Sequence, residues 1–109
     1  MAIIYSPMTE TLLENTTMQL GVDSVTGQQK KYRITPNNGY VLHDKSYDIP
    51  VFDEITGEET GEVILGYRTS TASCTIAQFN SNFYEFYAVL RTEVPENQIF
   101  GTGNDHEVM

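Results

Sequence analysis

The chain has 109 residues, 39% of them apolar and including seven tyrosines and five phenylalanines, which suffices for one hydrophobic core but not two. Fifteen acidic against six basic residues give a formal charge of -9, which repels nucleic-acid phosphate and anionic lipid and excludes direct binding to either. Cys74 is the only cysteine, so no intrachain disulfide or thiolate metal site forms within one chain, and a reducing, cytoplasmic setting is expected.

In chain order, Met1-Ala2-Ile3-Ile4-Tyr5 lacks the charged start and long apolar run of a secretory signal, and no later stretch approaches transmembrane length. Without a secretory route, the sequon Asn15-Thr16-Thr17 carries no weight. Ser6-Pro7 suits the cap and first position of a helix of one or two turns toward Leu12 and Leu13, which the threonines after Asn15 stop. From Thr16 to Val22, Thr16, Met18, Leu20 and Val22 alternate with Thr17, Gln19 and Gly21, the pattern of a half-buried strand. Asp23 to Gly27 then turns the chain into Lys31-Tyr32-Arg33-Ile34, completing a hairpin.

The same turn returns thirty residues on. Asp23-Ser24-Val25-Thr26-Gly27 aligns with Asp53-Glu54-Ile55-Thr56-Gly57, where Asp caps the following amides and Gly supplies the positive φ that closes the loop. The likeness ends with the turn and reads as turn chemistry rather than duplication. A calcium loop over Asp53 to Glu62 fails on spacing, because Ile55 and Gly57 fall where oxygen ligands are required.

Thr35 to Gly39 is dense in turn formers and reads as a loop. Val63, Leu65 and Tyr67 mark a strand across Glu62 to Arg68, and Ala72, Cys74 and Ile76 mark another. The run Phe83 to Leu90 is apolar almost throughout and is expected to be a central strand covered on both faces or sitting at an interface. The fold class is therefore mostly β: a small antiparallel meander, barrel or sandwich-like, of five or six strands with at most one short helix, with α+β as the alternative. One β-rich domain is expected over residues 1–94 and a partly flexible tail over 95–109, from which Ile99 and Phe100 dock on the body.

No catalytic site emerges. Cys74 with His43 and an acid such as Asp44 or Asp48 would be needed for thiol chemistry, but Cys74 lies on an apolar face where a thiol behaves as a small hydrophobe. His43 and His106 with Asp44 or Glu107 are too dispersed to define a metal site, and no glycine-rich phosphate loop is present, so neither cofactor nor metal is expected. Directional content lies between Asp44 and Glu62, where Asp44, Asp48, Asp53, Glu54, Glu58, Glu59 and Glu62 are offset only by Lys45. If the second hairpin projects, these carboxylates line a finger for the basic surface of a partner protein, flanked by Tyr40 and Tyr47, which fall in irregular segments and are expected to be exposed.

The expected function is that of a small acidic non-enzymatic binding protein, an inhibitor or nucleic-acid mimic of the anti-defence type. Small size, acidity and absent chemistry give it the general character of bacterial or phage accessory proteins. The alternative is a structural component that forms a homo-oligomer through an apolar strand.

Overall fold

Alternating β-branched and aromatic residues put nearly half of the described residues into short strands, and the computed structural model, which describes residues 2–100, contains ten. These are β1 (Ile3–Pro7), β2 (Thr16–Asp23), β3 (Gln29–Pro36), β4 (Tyr40–His43), β5 (Ile49–Phe52), β6 (Glu59–Ile64), β7 (Tyr67–Arg68), β8 (Ala72–Thr75), β9 (Tyr87–Leu90) and β10 (Ile99–Phe100). The helical elements among the described residues are one helix, α1 (Ile76–Asn80), and three 3-10 turns.

The strands form a four-stranded sheet in the order β1-β2-β3-β8, a second in the order β10-β7-β4-β9, and a separate ribbon of β5 and β6. Pairing is antiparallel except between β10 and β7, where Ile99 and Phe100 lie parallel to Tyr67 and Arg68. The fold is mostly β and sandwich-like, with more and shorter strands than the periodicity suggested. Met18 of β2, Ile34 of β3, Leu42 of β4, Ala72 and Cys74 of β8, and Phe86 make the core, so both four-stranded sheets contribute to it. A fully buried leucine or isoleucine stabilises by about 1.5–3 kcal/mol relative to exposure.

Both repeated turns have the geometry their residues imply. Asp23 Oδ1 accepts the amides of Val25 and Thr26 at 2.8 and 3.2 Å, and Asp53 Oδ1 accepts those of Ile55 and Thr56 at 2.7 and 3.0 Å. Gly27 and Gly57 have φ of 75° and 74°, a region side chains rarely occupy.

Three local expectations need correction. Ser6-Pro7 starts no helix: Ile3 to Pro7 pairs with β2, because Ile3, Ile4 and Tyr5 are better served by a sheet than by a short isolated helix. The helix lies instead after Thr75, whose hydroxyl accepts the Gln78 amide at 3.1 Å while the Gln78 side chain accepts the Thr75 amide at 3.0 Å; Ile76 therefore belongs to α1 rather than to the preceding strand. The apolar run from Phe83 is not one central strand. Asn82 and Glu85 adopt left-handed φ of 58° and 53°, breaking the run, so only Tyr87 to Leu90 is extended, at an edge of the second sheet.

The expected strand across Glu62 to Arg68 is also divided, ending at Ile64 and resuming at Tyr67 on another sheet. On β2 a register shift between Gly21 and Val22 interrupts the alternation. His106 and Glu107 lie outside the described residues.

Candidate functional site: the acidic finger

The segment from Asp44 to Glu62 divides into a buried base and an exposed finger. At the base, Asp44 is fully buried and caps the 3-10 turn Lys45–Tyr47 by accepting from the Ser46 amide at 3.0 Å and its hydroxyl at 2.7 Å. Its other oxygen receives Arg68 Nη1 at 2.9 Å, with only 1% of Arg68 exposed. Arg68 also donates to Ser70 Oγ and to the Thr71 carbonyl oxygen, so the buried cation is met on several sides.

His43 is buried next to Asp44 in the chain and packs against the rings of Tyr67 and Tyr87, which also contact each other. Its Nδ1 lies 2.9 Å from the Gly66 carbonyl oxygen, which can only accept, so Nδ1 carries the proton. Asp48 is half-buried and accepts the Gly66 amide at 3.0 Å. Asp44 is therefore corrected from partner contact to structural ion, and Asp48 sits at the base rather than along the finger.

Tyr47 is corrected in the same way. It is buried, its ring lies 5.1 Å from the Arg68 guanidinium and 5.7 Å from the Phe100 ring, and it packs where exposure was expected. Tyr40 is half-buried in β4 opposite Leu90, rather than in an irregular segment. In both cases tertiary packing claimed an aromatic that lacked strand periodicity.

Cys74 is buried in the core, and burial foremost, with the negative charge of Asp44 second, pushes its thiol up to about 11. It stays protonated near neutrality. Among the described residues, no group of three or more His, Cys, Asp or Glu side chains gathers as a metal site would require.

The finger begins at Ile49. β5 and β6 pair only with each other, joined by the Asp53 to Glu58 turn, and every residue of β6 is exposed. Asp53, Glu54, Glu58, Glu59 and Glu62 are all exposed, and no Lys or Arg occurs from Ile49 to Leu65. The amides of Thr56 and Ile55 hold the Asp53 carboxyl below its ordinary value of 3.8, fixing a negative charge at the tip. Exposed apolar residues that were not expected from the sequence lie alongside: Phe52 and Val63 are each 53% exposed and Ile55, at the turn, 94%. For Val63 the signal was present in the alternation of Glu62 to Leu65, which reads equally as a buried strand.

A radius of gyration of 15.8 Å, against about 13 Å for a compact chain of 100 residues, and extents of 56 × 28 × 23 Å describe an elongated molecule. No helix among the described residues is long and apolar enough to cross a membrane. Comparison with known proteins returns no matching family model, curated protein or solved structure.

Proposed function

We propose that this is a non-enzymatic binding protein that presents the β5–β6 finger to the basic surface of a partner protein, as an inhibitor or nucleic-acid mimic does. The observation that supports this reading is a ribbon outside both four-stranded sheets carrying five exposed carboxylates and no cation. Such a field speeds encounter with a cationic groove, and a row of carboxylates competes there with phosphates. A two-stranded ribbon is marginally stable alone, so the finger is suited to gain order from a partner. The single reduced thiol fits a cytoplasmic protein of accessory, anti-defence type.

The test compares the parent protein with the variant Glu54→Lys, Glu58→Lys, Glu59→Lys, Glu62→Lys as bait, at low and high salt. The reading expects a basic partner retained by the parent at low salt, released at high salt and absent from the variant. Equal retention by both baits contradicts it.

A second reading, assembly between copies, is favoured by one observation: β9 ends the second sheet, with Tyr87 and Leu90 exposed. It predicts a salt-insensitive oligomer in light scattering, which the first reading does not.

A further inference from the structure

The proposed finger has two edges and two faces, and they differ in what they can bind. Its edges are poor templates for strand addition. Pro50 leaves β5 without one backbone donor. On β6, the pairs Pro50 with Val63 and Phe52 with Glu59 leave Thr60, Gly61 and Glu62 opposite Val51 alone, with Gly61 at φ 90°. A bulge of this kind, with glutamates beside it, is how natural sheets discourage edge pairing.

The faces are unequal. Ile49 and Val51 are half-buried and share a face with Ile64, which is directly opposite Ile49. The other face carries Pro50, Phe52 and Val63, all exposed, with Glu59 directly across from Phe52. An apolar centre bordered by carboxylates is the arrangement of a binding anchor inside a charged rim.

Resting on the finger being the contact element, we infer that it docks through its Pro50–Phe52–Val63 face, into a partner-protein groove with an apolar floor and Lys- or Arg-lined walls. A second copy of this chain does not fit as occupant, because two fingers would bring ten carboxylates together with no cation between Ile49 and Leu65 of either. Phosphate backbones and anionic lipid are repelled for the same reason, and a polar cationic surface would leave Phe52 and Val63 in water.

The probe is a pair of synthetic eight-residue peptides of equal charge, one alternating Lys with Leu and one alternating Lys with Ser, titrated into isotopically labelled protein and followed by amide and methyl shifts. The inference expects the leucine peptide to bind at least about tenfold tighter, with shifts centred on Phe52, Glu59 and Val63. Phe52→Ser should remove that difference, while Glu59→Lys weakens both peptides; both positions are exposed, and the unchanged spectrum of the two large sheets verifies folding. Equal binding of both peptides at the finger, or a preference that survives Phe52→Ser, overturns the apolar anchor and leaves the acidic-finger reading standing. Shifts confined to the body, or no binding, overturn both.

Discussion

Arg68 Nη1 donates to Asp44 Oδ2 across 2.9 Å, tying β7 to the residue that follows β4, 24 positions away in the chain, with both side chains sealed from solvent. The pair anchors the turn from which β5 departs, so it fixes where the finger leaves the body. Hydrogen bonds from Arg68 to Ser70 and Thr71, and from Ser46 to Asp44, offset the cost of burying two charges.

Removing either partner strands the other charge. Asp44→Ala or Arg68→Ala should each lower stability by about 3–5 kcal/mol, and the double variant by less than the sum of the two. Urea unfolding of the four proteins of this cycle measures the coupling. Additive losses would mean that the ion pair is not the unit.

Gly66 is held from three sides. Its amide donates to Asp48, and its carbonyl oxygen accepts from His43 Nδ1 and the Asp44 amide. A Cβ there would lie 2.7 Å from Tyr47 Cβ and closer still to the Tyr47 carbonyl. Gly66→Ala should cost about 3 kcal/mol, since rigid backbone must move, whereas Gly57→Ala should cost about 1 kcal/mol through φ alone. Thermal unfolding of the two variants ranks them.

Asp53 gives a pH dependence confined to the finger tip. Its folded value lies below 3.8, so its contribution is present above 3.8 and is lost as pH falls through the lower folded value. The amide shifts of Ile55 and Thr56 should titrate with a midpoint under 3.8, and Asp53→Ala should abolish that titration. A midpoint at or above 3.8 would remove the two amide bonds from the account.

The Cys74 thiol, pushed up to about 11 in the core, should resist iodoacetamide at pH 8 in the native protein and react on unfolding. Mass spectrometry of native and urea-treated samples reads this directly, and rapid native labelling would contradict the packing of β8.

Much of the fold was legible where the signal is local. The Asp-x-aliphatic-Thr-Gly pattern gives both hairpin turns, because aspartate capping and a glycine of positive φ need no tertiary help. The box Thr75-x-x-Gln78 is a local signal too, but the alternation through Ala72, Cys74 and Ile76 runs across it and reads as a longer strand. Distant partners were not legible. Asp44 looks like another acid in an acidic run until Arg68 is beside it, and Tyr47 looks exposed until Phe100 and Arg68 cover its ring. Within the proposed contact, the exposure of Asp53, Glu54, Glu58, Glu59 and Glu62 was legible because a projecting hairpin keeps its charged residues in solvent. Phe52 and Val63 were not singled out, because alternation does not reveal which face a body will cover.

In the proposed function it is the finger that makes the contact with the partner. The most direct measurement places a photo-crosslinking residue at Ile55, at Phe52 or, for comparison, at Thr92 on the body, and irradiates each protein in extract of the cells that express it. The expected result is one discrete adduct with a basic protein from Ile55 and Phe52, lost at high salt and absent from Thr92. Adducts from Thr92 alone, or finger adducts indifferent to salt, would contradict it.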